Sequence, residues 1–177
     1  MKTSTKIVGF AALVFLTFSS MSFLLKPDYT KSLVTFKIKN AGLTVDGSFK
    51  TFEANIDYNE SAKAPSSIKA TIKTESIDTG IEGRDKHLRK EEFFNVSAFP
   101  ALTFESAQIL KTTTGSFIAE GKLTIKGIAK NVRIPFTYTN GIFDGTITLN
   151  RLDYGVGGNS ITMGNDVEIF LKVAATK

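Results

Sequence analysis

The stretch from Val132 to Leu149, VRIPFTYTNGIFDGTITL, decides the fold class of this chain. On both sides of Asn140-Gly141, large apolar residues alternate with polar ones, and this period of two is typical of a strand with one buried face. An Asn-Gly pair between two such runs favours a two-residue hairpin turn. The stretch therefore predicts two antiparallel strands joined by a tight turn.

The same alternation recurs along most of the chain. It occupies residues 30–39, 52–58, 68–73, 102–104, 117–125 and 167–173, so the chain has eight predicted strands in all. Consecutive alternating strands with short turns indicate an all-β, antiparallel sandwich or barrel. Eight strands are either filled by their own side chains or hold one small ligand. Alternation therefore leaves a filled core and a cavity as equal alternatives.

One segment departs from the pattern, Ser76 to Ser106, SIDTGIEGRDKHLRKEEFFNVSAFPALTFES. It is far longer than a hairpin turn, and connections of this length in a compact domain are usually lids or binding loops. The segment mixes charged and apolar residues, and Thr79 and Glu82 have the spacing of a helix capping box. We predict a short helical cap between a strand ending near Ile77 and a strand starting near Ala101.

Small residues interleave with large ones at the inward positions of the predicted strands. This pattern favours a cavity under the cap without deciding between a cavity and a filled core. The small inward residues are Ala54, Ala70, Ala119, Gly121 and Gly145.

The first 22 residues predict an export signal. Two lysines precede the apolar run from Ile7 to Phe18, and small serine residues follow it. We therefore expect a signal peptide at residues 1–22 and a single periplasmic or secreted domain at residues 23–177. An uncleaved N-terminal anchor is the alternative, because residues 23–25 extend the apolar run towards the ~20 residues that span a bilayer.

The composition excludes several classes of protein. The chain has 22 Lys and Arg against 17 Asp and Glu, a net charge of +5 that falls to +3 without the two signal lysines (20 against 17). Such a small surplus gives little support to nucleic-acid binding. The chain has no cysteine, so its stability comes from the core and the backbone hydrogen bonds.

Candidate catalytic and metal-binding residues are few. His87 is the single histidine and lies in the predicted cap, where a surface or hydrogen-bonding role is favoured over a metal site. No G-x-S-x-G motif occurs, and the glycine-rich run 155–160 is interpreted as a flexible loop. Arg151 and Asp153 are expected to form an ion pair at one end of the barrel. We predict no catalytic residue, no metal and no cofactor.

Three parts of the sequence resemble YceI-like proteins. Residues 85–88, 92–95 and 99–106, read as DKHL, EFFN and FPALTFES, are similar to the D-x-H-L, D-F-F and F-P-x-x-x-F-x-S pattern of that family. Residues 121–127 resemble its G-x-L-T-x-x-G strand, and residues 151–155 its R-x-D-F/Y-G block. The resemblance covers essentially the whole mature chain.

The resemblance implies an exported lipocalin-like barrel whose interior holds a long apolar molecule, such as a polyisoprenoid or a fatty-acid derivative. A filled-core interaction domain and an enzyme acting on a lipid-like substrate are the alternatives. Basic residues of the cap, Arg84, Lys86, Arg89 and Lys90, suggest contact with acidic lipid head groups, and a homodimer is left open.

Strand alternation and the cap supply the predicted ligand-binding residues. All are apolar and are expected to face the interior of the barrel: Phe36, Phe52, Ile56, Ile72, Leu88, Phe93, Phe94, Phe99, Phe104, Phe117, Phe136, Phe143 and Ile169.

Overall fold

A computed structural model describes residues 21–177, and most of this part of the chain is β-strand. The predicted export signal lies outside the described residues except for its last two positions. In this described part of the chain, one α-helix, α1 (Glu82–Leu88), lies in the cap, and short 3₁₀ turns occur at Thr74–Ser76 and Arg151–Tyr154. The strands are β1 (Ser22–Asn40), β2 (Leu43–Phe49), β3 (Phe52–Asn59), β4 (Ala64–Lys73), β5 (Ile77–Asp78), β6 (Ala101–Thr113), β7 (Ser116–Ile125), β8 (Ile128–Thr139), β9 (Ile142–Asn150) and β10 (Met163–Thr176).

The strands close into an antiparallel barrel with eight positions. Their hydrogen-bonded order is β10-β9-β8-β7-β6-β4-β3-β1, and the pairing of β1 with β10 closes the ring. The remaining two strands, β2 and β5, add no further position to the ring. β2 and β3 both pair with β1 and run in the same direction, so they share one position. β5 follows β4 in the chain and pairs with β2. The predicted eight-stranded antiparallel barrel is confirmed.

Tight turns fix the register of the long strands. Asn140 and Gly141 have φ angles of 52° and 77°, and two consecutive positive φ angles are what a type I′ hairpin requires. Tyr138 and Phe143 consequently lie side by side on β8 and β9, with ring centroids 4.3 Å apart. The hairpin predicted from the sequence is confirmed.

The beginning of β1 bears on the predicted N-terminal anchor. Residues 22–25 pair with β3, and Leu25 is almost fully buried in the core. Residues 23–25 are therefore part of the barrel wall. Within residues 21–177, no helix is both long enough and apolar enough to cross a bilayer.

A polar cluster stabilises a bulge in β1 near residue 30, where the pairing with β10 shifts register. The Asp28 carboxylate accepts hydrogen bonds from the N–H of Thr30 at 3.1 Å and from its hydroxyl at 2.6 Å. The Lys31 ammonium lies 2.8 Å from the same carboxylate. Ser32 donates its hydroxyl to the Asp28 carbonyl at 2.6 Å, so the bulge is held from both sides.

We expect an NMR titration to give Asp28 a pKa of about 2, well below its usual 3.8, because hydrogen bonds from Lys31 and Thr30 favour the ionised form. Since the pKa is lower in the folded state, the stability that Asp28 contributes is present above about pH 4 and is lost as the pH falls towards 2. Lys31→Met should raise the Asp28 pKa, and Lys111→Met on β6 is the control. An Asp28 pKa that stays the same in Lys31→Met contradicts this account.

Side chains inside the barrel form two apolar clusters. The first cluster fills the end near residues 22 and 176, where aromatic rings run from Phe23 through Tyr58 and Tyr138 to Phe143 with neighbouring centroids 4.3 to 5.6 Å apart. The second cluster lies beneath the cap. Buried members of the first are Leu25, Ala54, Ile56, Phe104, Phe117, Ala119, Ile134, Phe136, Phe143 and Ala175, and those of the second are Val34, Phe49, Phe52, Ile77, Leu102, Ile125, Tyr154 and Val156.

Candidate functional site

An internal cavity of about 280 Å³ lies inside the barrel and is lined by members of both apolar clusters. Its volume far exceeds the ~10–15 Å³ that one water needs and is close to the lower limit of the ~300–1,000 Å³ typical of small-molecule sites. The walls are inward side chains of the strands, and the underside of the cap closes one end. The structure therefore favours a cavity over the filled-core alternative.

Small side chains keep this space open. Ala54, Ala70, Ala119 and Gly145 line the cavity, as their alternation with large residues predicted. Gly121 does not line it. The backbone at Gly121 lies directly against the carbonyl of Glu105, next to an irregularity in the pairing of β6 and β7, and a Cβ there would overlap that carbonyl.

The predicted ligand-binding residues divide into two groups. Phe99 packs over Gly127 at the β7–β8 turn, and Phe117 belongs to the end cluster, where its ring stacks on Phe136 at a centroid distance of 5.3 Å. Neither lines the cavity. Contact of any of these residues with a ligand stays a prediction. The eleven that line the cavity are Phe36, Phe52, Ile56, Ile72, Leu88, Phe93, Phe94, Phe104, Phe136, Phe143 and Ile169.

Strand β2 contributes cavity residues that the sequence did not predict. Its sequence, LTVDGSF, is interrupted by polar residues and a glycine, so the alternation is weak. Gly47 lies opposite Phe36, whose ring covers it so closely that a Cβ on Gly47 would overlap the ring. The sequence signal for β2 was a glycine, Gly47, at the position that pairs with the aromatic residue Phe36. Val45 and Phe49 of β2 line the cavity.

The cap begins with α1, and the predicted capping box is wrong. The N-cap residue is Ile81, which supplies no side-chain hydrogen bond. Thr79 instead donates its N–H at 2.9 Å and its hydroxyl to the buried carboxylate of Asp85. The helix ends at Leu88, and the chain continues through a series of turns in which Asn95 has a positive φ of 46°.

Hydrogen bonds to backbone carbonyls attach the cap to the barrel. The Arg89 guanidinium donates to the carbonyls of Glu75 and Ile77, both at 2.9 Å. On the opposite side, the Gly157 N–H donates to the Glu92 carbonyl at 2.8 Å. The cap is therefore connected both to the β4–β5 region and to the loop before β10.

The underside of the cap is apolar. Leu88, Phe93 and Phe94 face the cavity. The Phe94 ring meets Phe49 edge-on with centroids 5.8 Å apart, and Phe93 packs against the backbone of Gly157, where a Cβ would lie 2.8 Å from its ring. These contacts make the cap a packed lid over one end of the barrel.

His87 lies on the outer side of the cap. Its side chain is 52% exposed, its Nδ1 is 3.6 Å from a carboxylate oxygen of Glu92, and its ring meets Phe93 edge-on at 5.0 Å. It does not line the cavity. The predicted surface position of His87 is confirmed.

Arg151 is a buried cation in the cavity wall. The residue is 5% exposed, and its guanidinium donates to the carbonyls of Gly164, Val156 and Gly158, each at 2.9 Å, and to the amide oxygen of Asn165 at 3.2 Å. Burial lowers the pKa of Arg151 from its usual value. The four acceptors belong to the segment from residue 156 to 165, so Arg151 holds this loop against the barrel.

The ion pair predicted between Arg151 and Asp153 is wrong. The Asp153 carboxylate lies 3.3 Å from the ammonium of Lys130 instead. A second guanidinium, that of half-buried Arg84, also lines the cavity and donates to the hydroxyl and carbonyl of Thr79 at 2.7 and 2.8 Å. In residues 21–177, neither Arg84 nor Arg151 has a carboxylate partner within 4.0 Å.

Most basic residues of the cap are bonded within the protein. The Lys86 ammonium lies 2.7 Å from Glu82, and Arg89 lies 3.2 Å from the Glu75 carboxylate in addition to its backbone hydrogen bonds. Arg84 is bound to Thr79 as described. The cap therefore presents less available positive charge than its sequence suggested.

Large apolar side chains are exposed at the cap end of the barrel. Leu43 at the start of β2 is 72% exposed, Ile81 before α1 is 56% exposed, and Ile161 is fully exposed. The Ala41 N–H donates to the Thr162 carbonyl at 2.8 Å, so the β1–β2 turn lies beside the loop that carries Ile161. These three side chains, called the apolar rim below, stand around the capped end of the cavity.

A closed antiparallel barrel with an apolar cavity and an amphipathic cap defines the class of lipocalin-like folds. Within that class, the chain belongs to the family defined by the YceI-like domain, whose model matches residues 25–175. The resemblance inferred from the sequence is thereby confirmed.

Relatives and solved structures agree with this assignment. A UPF0312 protein of Pseudomonas aeruginosa (strain LESB58) is 33% identical over 153 residues, with 80% of each chain covered. The crystal structure of Burkholderia cenocepacia BcnA has a TM-score of 0.79 at 27% identity and covers 86% of this chain and 100% of that chain. A polyisoprenoid binding domain from Saccharophagus degradans, implicated in plant cell wall breakdown, shares the fold with a TM-score of 0.63 at 13% identity, covering 86% and 97% of the two chains.

Proposed function

We propose that this protein is an exported, non-enzymatic binding protein that holds a long apolar lipid, such as a polyisoprenoid or a fatty-acid derivative, inside its barrel. The observation that carries the proposal is the apolar cavity beneath a packed lid. The Saccharophagus degradans domain of the same fold is a polyisoprenoid binding domain, which supports the same class of ligand.

Binding is driven by removal of the lipid tail from water. Each buried CH₂ contributes ~0.8 kcal/mol, so one isoprene unit contributes a few kcal/mol before the costs of ordering and association are subtracted. Affinity should therefore rise with tail length until the cavity is full. Because the cavity volume is about 280 Å³, a longer tail requires movement of the cap or of wall side chains.

Exchange of the lipid with a membrane surface belongs to the same proposal. The apolar rim of Leu43, Ile81 and Ile161 surrounds the capped end, and three of the four cap cations are engaged within the protein. Contact through apolar insertion needs no acidic lipid, so transfer from zwitterionic vesicles is expected. Self-association of the chain stays a prediction.

Native mass spectrometry of the protein purified from its producing cell tests the proposal. We expect a polypeptide of residues 23–177 that carries a lipid adduct, and solvent extraction should release an apolar lipid. After the lipid is stripped, the protein should take up an isoprenoid alcohol from zwitterionic vesicles. A protein that carries no lipid and takes up neither an isoprenoid nor a fatty ligand would contradict the binding function.

A further inference from the structure

We propose that the barrel wall has a side opening between β1 and β3, closed by the ring of Tyr29, and that the end of a long lipid tail leaves the cavity through it. This inference rests on the proposed lipid-binding function. It adds a second part of the binding site, on the outer surface of the barrel, for isoprenoids too long for the cavity.

The cavity is too small for a long isoprenoid. An engineered protein cavity of ~150 Å³ binds one benzene, which has six carbons. On the same scale, a cavity of about 280 Å³ holds roughly eleven carbons, or about two isoprene units. Its end away from the cap is filled by the first apolar cluster. Geraniol therefore fits inside, and the remaining half of geranylgeraniol needs a route out of the barrel.

The proposed opening lies where β1 changes neighbours. Residues 22–25 of β1 pair with β3, and residues 34–40 pair with β2. Between them, residues 26–33 face residues 50–55, and within the described chain these two stretches form no strand pairing with each other. We call this place the side gap. The wall there is not closed by a ladder of backbone hydrogen bonds.

One side chain closes the side gap. The Tyr29 hydroxyl accepts a hydrogen bond from the N–H of Ala54 at 3.3 Å, and its ring meets Phe52 edge-on with centroids 5.4 Å apart. Phe52 and Ala54 line the cavity, so the Tyr29 ring covers the cavity wall from outside. Tyr29 is 47% exposed, and Leu33, the last residue of β1 in the gap, is 56% exposed. Rotation of Tyr29 into solvent would connect the cavity to an apolar outer surface at Leu33.

The cap is held more firmly than the side gap. Arg89 contributes two hydrogen bonds and Gly157 one. Thr74 adds two more, because its N–H and hydroxyl donate to the carbonyls of Pro100 and Phe99 at 3.1 and 2.8 Å. Five hydrogen bonds therefore attach the cap, whereas one closes the side gap.

Buried side chains close two other places where neighbouring strands separate. In the described residues, β8 and β9 pair only at residues 136–139 and 142–145, but the turn after β9 lies against β8, and its Tyr154 is 2% exposed. β4 and β6 stop pairing beyond Lys69, beside the first apolar cluster. Of these three separations, the side gap is the one closed by a half-exposed side chain.

A photoreactive tail tests the route. The stripped protein is loaded with geranylgeraniol that carries a diazirine in its last isoprene unit and is irradiated, and the cross-linked residues are identified by mass spectrometry. We expect cross-links to Tyr29 and Leu33. The matching analogue of geraniol should label residues that line the cavity. Labelling of the cap or of the first apolar cluster by the long analogue, in place of Tyr29 and Leu33, overturns the inference.

Variants at Tyr29 test its role in closing the gap. Tyr29→Ala should raise the affinity of the stripped protein for geranylgeraniol about tenfold, because the tail no longer displaces a ring held by one hydrogen bond and one aromatic contact. Its affinity for geraniol should not change. Tyr29→Phe, which lacks only the hydroxyl, should have an intermediate affinity for geranylgeraniol.

Leu110→Ala is the matched control, because it removes another exposed apolar side chain from the outer face of β6. It should bind both alcohols as the wild type does. Equal affinities of Tyr29→Ala and the wild type for geranylgeraniol overturn the inference, as does an equal gain for geraniol. Failure of both alcohols to bind the wild type overturns the proposed function itself.

Discussion

Ala70→Phe should lower the affinity of the stripped protein for geranylgeraniol at least about tenfold, because each CH₂ excluded from the cavity forfeits ~0.8 kcal/mol. Ala70 lies on β4 between Ala54 of β3 and Phe104 of β6, and its side chain lines the cavity. A phenyl ring at this position occupies space that the lipid tail would otherwise fill. The loss should be smaller for geraniol, whose tail is shorter, so a series of isoprenoid alcohols measured by fluorescence displacement separates a filled cavity from a general loss of binding.

Thr71→Phe is the matched control for this prediction. Thr71 is the next residue on the same strand and is exposed on the outer face, so the same ring is added without entering the cavity. Ala70→Leu adds a smaller side chain and should give an intermediate loss of affinity. Both cavity variants should keep the β-strand circular dichroism spectrum of the wild type, since added apolar volume enters an existing cavity. Equal affinities of Ala70→Phe, Thr71→Phe and the wild type would place the lipid outside this cavity.

The strands could be predicted from the sequence because the pleat alternates side chains between the core and water at every residue. Ala54, Ala70 and Ala119 were predicted inward on this basis and do line the cavity. The turn at Asn140-Gly141 was equally predictable, because few other residue pairs adopt two positive φ angles without strain. The fold class depends on these local constraints. They act between residues that are close together in the chain, so a single sequence is enough to recognise them.

The size of the cavity could not be predicted in the same way. Whether a barrel is full depends on the summed volumes of side chains from all its strands. Alternation indicates only whether each side chain points into the barrel or out to solvent. Phe117 and Phe104 both point inward and both belong to the first apolar cluster, yet of the two only Phe104 lines the cavity. Phe104 pairs with Leu123 and Phe117 with Lys111, so the two rings lie at different levels of the barrel, and these levels depend on the register of neighbouring strands.

The polar contacts of the cap were the least predictable part of the site. Thr79 has the spacing of a capping residue, but its hydroxyl donates to the Asp85 carboxylate and accepts from the Arg84 Nε instead of from a helix N–H. Arg151 and Asp153 are two residues apart and of opposite charge, yet the guanidinium is satisfied by loop carbonyls and the carboxylate by Lys130. A nearby opposite charge in the sequence does not determine a partner when the tertiary structure offers other acceptors.

Arg151→Met should lower the free energy of unfolding by about 2–4 kcal/mol, because a hydrogen bond to a charged group contributes ~1.5–3 kcal/mol and the loss of four is offset in part by no longer burying the charge. The methionine retains most of the apolar stem but removes all four hydrogen bonds to residues 156–165, which comprise the loop before β10 and the first residues of that strand. The acceptors include the carbonyl of Val156, a buried residue in the core beneath the cap. A buried carbonyl left without a donor costs ~1–3 kcal/mol.

Urea unfolding followed by circular dichroism measures this loss, and two further variants identify its cause. Arg151→Lys keeps the charge but cannot reach four acceptors from one ammonium, so it should recover only a minor part of the stability. Arg133→Met removes an exposed arginine whose Nε lies 3.1 Å from Glu120, and a surface ion pair is worth ~1 kcal/mol or less. If Arg151→Met were as mild as Arg133→Met, the loop would not depend on the buried guanidinium. Full recovery by Arg151→Lys would instead assign the stability to the charge and not to the planar set of four hydrogen bonds.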